Sequence, residues 1–146
     1  MKLSHSVVYA LQAVIALAEI GGDMPVSSRQ IADRGKMPER YLLQILRGLV
    51  ANGILQSSFG VSGGYSLTRP PQEITILEVL DAFESPITAL SVPDLPGLAH
   101  IRRKQLVDCL TESVNAARQS LAKCTLADFV LLRSEVLGKS ISGLAG

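Results

Sequence analysis

The stretch SSRQIADRGKMPERYLLQILRGLVANGILQSSFGVSGGYSL, residues 27 to 67, decides the fold of this chain. Ser27 followed by Gln30 is the pattern of a capping box, which predicts a helix of about two turns that ends near Gly35. Pro38 stands where a first helical residue is favoured, and apolar residues then recur at helical spacing. The sequence therefore predicts two short helices joined by a tight turn.

A glycine-rich hairpin follows the second helix. Residues 54 to 58 and 65 to 68 alternate in type as strands do, and the segment between them is rich in residues that tolerate positive φ. A capped helix, a second helix and a hairpin in this order are typical of a winged helix-turn-helix. We therefore expect double-stranded DNA to be the partner.

Three polar side chains of the second helix share the face opposite its apolar stripe. Arg40, Gln44 and Arg47 fall at positions i, i+4 and i+7, so they project the same way. A helix in the major groove needs forked donors for guanine edges or phosphates and an amide for adenine, and these residues supply both. The alternative is an ordinary solvated helix face, but the flanking helix and hairpin favour the DNA-reading role.

Other residues are expected to support this contact. The start of the first short helix, at Ser28 and Arg29, combines backbone N–H groups with a helix dipole that favours a phosphate. The glycines of the hairpin predict a close approach to another backbone or to the minor groove, with an undistinguished surface turn as the alternative. The predicted DNA-binding residues are Ser28, Arg29, Pro38, Arg40, Tyr41, Gln44, Arg47, Gly63, Gly64 and Tyr65.

Helices are predicted on both sides of this region, so the fold class is mainly α with one small β-hairpin. A scaffold helix over residues 4 to 20 comes first, and Thr75 with Glu78 repeats the capping-box pattern after a double proline. The apolar stripe of the scaffold helix is read as Val7, Leu11, Val14, Leu17 and Ala18. We expect a winged helix-turn-helix domain over residues 1 to 84 and a loop or sensor region over residues 85 to 100.

A long helix is predicted over residues 101 to 122, within a dimerisation region of residues 101 to 146. Its apolar residues recur at steps of three and four, which suits a partner helix in a homodimer. A last helix, from Thr125, is expected to fold back on the first. The predicted dimerisation residues are Leu106, Leu110, Val114 (or Ser113), Ala117 and Leu121.

Composition and charge limit the class of protein. With 47% apolar residues, the 146-residue chain can bury a sizeable core, yet no apolar run approaches the roughly 18 residues of a membrane span. No secretory signal is recognisable, so a cytoplasmic location is expected. The net charge is only +1, but residues 1 to 70 carry seven basic and four acidic side chains, against seven and nine in the remainder. The basic half is the one predicted to bind DNA.

No set of residues supports catalysis, so we expect a protein that is not an enzyme. His5 and His100 are far apart and lack partners in sequence. Cys109 and Cys124 lack metal-ligand spacing, and they are expected to be free thiols rather than a disulfide. A redox-sensing role for these two cysteines stays open as an alternative, because Cys124 precedes a predicted helix start that would favour a thiolate.

Several short motifs together resemble a known family. They are Tyr9-Ala10-Leu11, Arg40-Tyr41-Leu42, Gly63-Gly64-Tyr65-x-Leu67, Pro70-Pro71-x-Glu73-Ile74-Thr75 and Thr125-Leu126-Ala127-Asp128. In this order the chain resembles the IscR-, NsrR- and CymR-like regulators of the bacterial Rrf2 family over nearly its whole length. The resemblance implies a dimeric winged-helix transcription factor, usually a repressor, whose long helix pairs with its mate and whose sensing apparatus lies between the wing domain and that helix.

The chain departs from this family in two places. Many relatives hold an iron-sulfur cluster with three cysteines in the loop and at the start of the long helix, whereas residues 85 to 104 contain none and Lys104 aligns with the last ligand. No cluster is therefore expected, and metal and cofactor are predicted absent. Relatives also often carry basic residues at the wing tip, where this chain has Phe59, so fewer phosphate contacts are expected.

Two rival functions remain open at this point. One is a winged-helix protein-interaction module, which is compatible with the small excess of basic residues. The other is a thiol-based redox switch with weak DNA binding. The controlling signal is equally open between a small molecule near residues 85 to 100, a partner protein and thiol oxidation.

Overall fold

The computed structural model describes residues 3–84 and 96–130, in which five complete α-helices, one β-hairpin and the start of a further helix at residues 126–130 are present. The elements are α1 (His5–Ile20), α2 (Ser28–Gly35), α3 (Glu39–Ala51), β1 (Leu55–Ser58), β2 (Gly64–Leu67), a 3-10 turn (Pro71–Glu73), α4 (Ile76–Asp81) and α5 (His100–Lys123). The predicted mainly helical fold with a small hairpin is confirmed. The predicted loop falls mostly on residues 85–95, and the predicted last helix continues past residue 130, so both extend outside the described residues.

Helix α1 is the scaffold against which the helix-turn-helix packs. The hydroxyl of Ser4 accepts a hydrogen bond from the Val7 N–H at 3.3 Å and caps its start. Val7, Val14 and Leu17 of the predicted stripe are buried, whereas Leu11 and Ala18 are only half-buried. The buried residues of α1 are Val7, Ala10, Ala13, Val14, Ala16 and Leu17. The three alanines make this face shallow, so α2 and α3 can both pack closely on it.

The capping box at the start of α2 is confirmed. The Gln30 N–H donates to Ser27 Oγ at 3.3 Å, and the Ser27 N–H donates to Gln30 Oε1 at 3.1 Å. Helix α2 ends with Lys36 in the left-handed region at φ 52°, which turns the chain sharply toward α3. Pro38 is the N-cap of α3 rather than its first helical residue, because its ψ of 122° is extended.

The two strands form the wing, defined here as residues 55–67. They pair antiparallel, from Leu55 opposite Leu67 to Ser58 opposite Gly64. A further backbone bridge joins the wing to the segment before α2, since the Val26 N–H donates to Tyr65 O at 2.9 Å and the Tyr65 N–H donates to Val26 O at 2.8 Å. The wing is therefore fastened to the helix-turn-helix and does not project as an isolated hairpin.

The second predicted capping box, at the start of α4, is also confirmed and carries an ion pair. Glu78 accepts the Thr75 N–H at 2.8 Å and the Arg69 guanidinium at 2.6 Å. Burial raises the pKa of the Glu78 carboxyl, but these two donors and the Thr75 hydroxyl outweigh it and hold that pKa below its usual value. The folded state therefore favours the ionised carboxylate.

Acid should weaken this cap. Because folding lowers the pKa of Glu78, its contribution to stability is present above the unfolded value near 4.5 and is lost as the pH falls through the folded value. In Glu78→Gln we expect the free energy of unfolding, measured by urea titration, to depend less on pH between about 5 and 3. The control is Glu73→Gln, an exposed carboxyl in the adjoining 3-10 turn. Equal pH dependence in wild type and Glu78→Gln would contradict the assignment.

Helix α5 is tied to the rest of the chain at its C-terminal half. Arg118 donates two hydrogen bonds to Asp81 of α4, both at 2.8 Å. Just beyond α5, Thr75 and Thr125 form a backbone bridge, and the Leu126 side chain is fully buried in the core. No helix among the described residues has the length and apolar character needed to cross a bilayer.

Candidate nucleic-acid interface

The turn between α2 and α3 sets the orientation of the candidate reading helix. The Met37 N–H donates to Ala32 O at 2.9 Å, and the Met37 side chain is buried against Gly35. On the inner face of α3, Leu42, Leu46 and Leu49 are almost completely buried. This burial fixes the rotation of α3 about its own axis, so its opposite face is held toward solvent.

Arg40, Gln44 and Arg47 lie on that outer face, as the spacing predicts. All three are exposed. None of their side chains makes a hydrogen bond or ion pair with any residue in the described part of the chain. Their donors and acceptors are therefore free for a ligand, and two guanidinium groups flanking an amide match the base edges of a major groove.

The start of α2 is partly occupied by the chain itself. The Ser28 hydroxyl donates to Glu39 Oε1 at 3.0 Å, while Arg29 is exposed. Glu39 is the first residue of α3, so its carboxylate joins the starts of the two helices. Sequence reasoning missed this contact, although an acidic residue in the first turn of α3 is a recognisable signal. A phosphate placed there would meet both the favourable dipole of α2 and the negative charge of Glu39.

Tyr41 is 62% exposed and stacks on Tyr9 of α1, with ring centroids 6.3 Å apart and planes at 22°. Gln44 lines the same cleft of about 450 Å³, together with His5 and Ser6 near the start of α1. Tyr41 therefore connects the outer side of α3 to the scaffold helix. No pattern in the sequence indicates the role of Tyr9, because the two tyrosines are 32 positions apart.

The three wing residues predicted to bind DNA, Gly63, Gly64 and Tyr65, have packing roles within the chain itself. A Cβ at Gly64 would collide with the carbonyl of Val26, and one at Gly63 would collide with the carbonyl of Ser58. Tyr65 is half-buried and packs against the core. The predicted close approach of the hairpin is therefore to the chain's own backbone. Phe59 and Val61, which the prediction omitted, are the fully exposed apolar side chains of the tip.

Helix α5 presents its predicted dimerisation face largely to solvent. None of its 24 residues is buried. Leu106 and Ala117 are exposed, while Leu110 and Val114 are half-buried. Leu121 differs from the others because it packs against the core of its own chain.

The cysteines and histidines are not gathered into a site. Both cysteines are free thiols, Cys109 exposed on α5 and Cys124 half-buried at the residue that follows it. Their separation of 15 residues corresponds to about 22 Å along a helix, which is too far for a disulfide. His5 and His100, at the starts of α1 and α5, are exposed.

Comparisons with known proteins agree with this architecture. A sequence model of the Rrf2 family, described as an iron-dependent transcriptional regulator, matches residues 3–131. The chain is 31% identical over 120 residues to the helix-turn-helix transcriptional regulator IscR of Cereibacter sphaeroides, which covers 80% of this chain and 77% of that protein.

Solved structures show the same likeness. The structure of CymR, described as the global cysteine regulator of Bacillus subtilis, is similar with a TM-score of 0.73 and 29% identity, over 90% of this chain and 98% of CymR. IscR of T. potens is similar with a TM-score of 0.71 and 28% identity, over 93% of this chain and 90% of that one. The winged-helix fold class is thereby confirmed.

Iron-dependent regulation requires side chains that could hold iron. Within residues 3–84 and 96–130, no three His, Cys, Asp or Glu side chains are grouped so that they could hold a metal ion. Cys109 and Cys124 are the two cysteines of the whole sequence, and their separation on α5 prevents them from ligating one cluster. The residues do not fit a cysteine-ligated iron-sulfur cluster, and the expectation that none binds stays a prediction.

The family assignment therefore depends on the sequence match and the shared fold, and it agrees with the exposed basic face of α3. The family model spans most of the chain, and the relatives it resembles are helix-turn-helix regulators of bacteria. The chain belongs to the Rrf2 family of transcriptional regulators, and it is a DNA-binding transcription regulator rather than an enzyme.

Proposed function

We propose that this chain acts in the bacterial cytoplasm as a homodimeric repressor of a partly palindromic operator. The observation that carries the proposal is the outer face of α3, where Arg40, Gln44 and Arg47 are exposed and have no partner among the described residues. In this proposal Arg40, Gln44 and Arg47 read base edges in the major groove. Arg29 and the start of α2 hold a phosphate.

The proposed dimer follows from α5. A helix of 24 residues is about 36 Å long, and in a single chain none of its side chains is buried. Apolar side chains that recur along one edge of a helix are stabilised when a partner buries them. A second copy of α5 is a partner of matching length and pattern. We place the seam from Leu106 to Ala117, since Leu121 already packs on its own core.

Two-fold symmetry then sets the form of the operator. The two α3 helices of a dimer address half-sites whose centres are separated by about 34 to 36 Å, or a multiple of that distance. A protein bound across such a site in a promoter excludes polymerase, which is the basis for proposing repression. Light scattering should give a mass twice the 15.6 kDa of one chain for the free protein, and that mass plus one duplex for the operator complex.

Arg40→Ala is the mutation that tests the reading helix. Loss of a bidentate contact to guanine costs about 1 to 3 kcal/mol, so affinity for the selected operator should fall about 5- to 150-fold. Affinity for unrelated DNA should change much less. The measurement is fluorescence anisotropy, at several salt concentrations, on fragments first selected from the genome by the wild-type protein.

The matched control is Arg102→Ala, which removes the same charge from exposed α5. It should leave operator affinity within about twofold, because long-range charge is screened within roughly 10 Å at 0.1 M salt. An equal loss on every sequence in Arg40→Ala would make Arg40 a phosphate anchor. A wild-type protein with no preference among genomic fragments at any salt would refute operator recognition and leave the protein-interaction alternative.

A further inference from the structure

The tip of the wing carries two bulky apolar side chains in full contact with solvent. Phe59 is 98% exposed and Val61 is fully exposed. They flank Gly60, whose φ of 107° turns the chain at the tip. They lie beyond the last paired residues of the hairpin, Ser58 and Gly64. Bulky apolar groups presented together at an outermost point indicate a binding surface.

The wing also lacks the groups that bind phosphate by charge. From Gly48 to Thr68 the sequence contains no charged residue. The tip therefore cannot hold a DNA backbone through ion pairs, and its two bulky side chains, Phe59 and Val61, can contact a duplex only through apolar groups. Apolar side chains contact duplex DNA at base steps and sugar edges, which are accessible in the minor groove.

A chain of contacts places the wing beside the start of α3. Gly64 lies against the backbone of Val26 and Ser27, where an added Cβ would be 3.0 Å from Ser27 N. Ser28, the next residue, donates to Glu39 at the start of α3. The last paired residue next to the tip, Gly64, therefore lies close to the start of α2, which Ser28 and Glu39 join to the first turn of α3.

Hydrogen bonds close both ends of the wing. The Thr68 hydroxyl donates to Gly53 O at 2.7 Å, which closes the base of the wing. At the other end, the Gly63 N–H donates to Gly60 O at 3.0 Å and closes the turn. Together with the Val26–Tyr65 bridge, these bonds fix the direction of the tip relative to the helix-turn-helix.

We propose that Phe59 is an apolar wedge that enters the minor groove beside the half-site read by α3, partly unstacks one base step and bends the DNA. This inference rests on the proposed function, because it needs α3 in the adjoining major groove. Val61 extends the apolar surface next to the wedge. Unstacking is easiest at pyrimidine–purine steps, so each half-site should be flanked by a TA or CA step that no side chain reads by hydrogen bonding.

The test uses the full-length protein and a genome-selected operator duplex with 2-aminopurine at the flanking step and a fluorophore at each end. Wild type should raise 2-aminopurine emission at one step per half-site and bring the duplex ends closer. Phe59→Ala should lose both signals and bind on the order of tenfold more weakly. Its salt dependence should keep the wild-type slope, because no phosphate contact is removed.

Two further variants separate the wedge from other roles of an exposed side chain. Phe59→Arg should regain affinity at low salt and steepen the salt dependence by about 0.9 in log-log slope, but it should not restore the 2-aminopurine signal. Met24→Ala is the matched control, since Met24 is 72% exposed and lines the same cleft as Thr68 and Pro70, which follow the wing, whereas the tip residues do not line it. It should behave as wild type.

The outcomes that overturn the wedge are distinct from failure of the proposed function. Phe59→Ala with wild-type affinity, bend and emission refutes the wedge while operator binding stands. Phe59→Ala that changes the mass in light scattering, but none of the DNA signals, assigns the tip to a protein contact and also refutes the wedge. A wild-type protein that selects no fragment refutes both proposals together. Thermal unfolding confirms that each variant is folded.

Discussion

Replacing Leu126 with alanine should lower the free energy of unfolding by about 2 to 5 kcal/mol, the range for deleting a large side chain from a packed core. Leu126 is 0% exposed and belongs to the same core cluster as α1 and α3, although it follows the long helix α5. Its N–H donates to Ile74 O at 3.0 Å, so the backbone is held there as well. The surroundings therefore cannot easily close around the cavity.

The measurement is a urea titration followed by circular dichroism at fixed protein concentration, because dimerisation would make stability depend on concentration. Ile101→Ala is the control, since Ile101 is an exposed residue of α5 and should change stability by no more than about 0.5 kcal/mol. Equal stability of Leu126→Ala and wild type would show that the segment after α5 is not part of the core. In that case the attachment of α5 to the DNA-binding domain would depend on Leu121 and the Arg118–Asp81 pair.

Gly64→Ala should destabilise the protein by about 3 kcal/mol, at the upper end of the range for overpacking. The added methyl group collides with the Val26 carbonyl, which is backbone and cannot rotate away. Relief requires the wing to separate from Val26, with loss of the two hydrogen bonds that join Val26 and Tyr65. Operator affinity should fall as well, because the wing would no longer be held beside α3.

Stability and operator affinity should be measured on the same preparation. Ser57→Ala is the control, an exposed position of β1 in the same hairpin, and it should stay within about 0.5 kcal/mol of wild type. Gly64→Ala with unchanged stability would mean that the wing is not fastened to Val26. Lost DNA affinity at unchanged stability would instead indicate a direct contact between Gly64 and DNA.

The long helix is attached to the same layer that supports α3. Arg118 of α5 holds Asp81 at the end of α4, and Phe83, just after α4, lies so close to Gly48 of α3 that a Cβ there would be 2.7 Å from its ring. Gly48 is a poor helix former in the middle of α3. The helix stability that it costs is offset by the close packing of Phe83 that it allows. Helix α5 is therefore connected to α3 by direct contacts through α4 and Phe83.

Features governed by neighbours in sequence were predictable. Both capping boxes, at Ser27 and Thr75, are present as predicted, because each needs only residues three positions apart. The outer face of α3 was also predictable, since helical spacing alone puts Arg40, Gln44 and Arg47 together. The strands begin or end one residue away from the predicted positions, because backbone pairing and not residue type determines where a strand ends.

Features that join distant parts of the chain were not predictable. The Arg118–Asp81 pair spans 37 positions, and Tyr9 meets Tyr41 across two helices. The predicted apolar stripe of α1 included Leu11 and Ala18, which are only half-buried, and it omitted the buried alanines Ala10, Ala13 and Ala16. A hydrophobicity pattern favours large apolar residues and cannot show that two helices crossing α1 need a shallow face.

The sequence by itself determined the order of the elements, the ends of the capped helices and the set of side chains that α3 turns outward, because caps and helical periodicity act over a few residues. Only the tertiary structure decided that Gly64 is required by the Val26 backbone, that Ser28 is held by Glu39 and that Phe59 stands exposed at the wing tip. Those features depend on which distant backbones approach each other. That approach is set by packing of the whole core, in which every buried surface constrains the others.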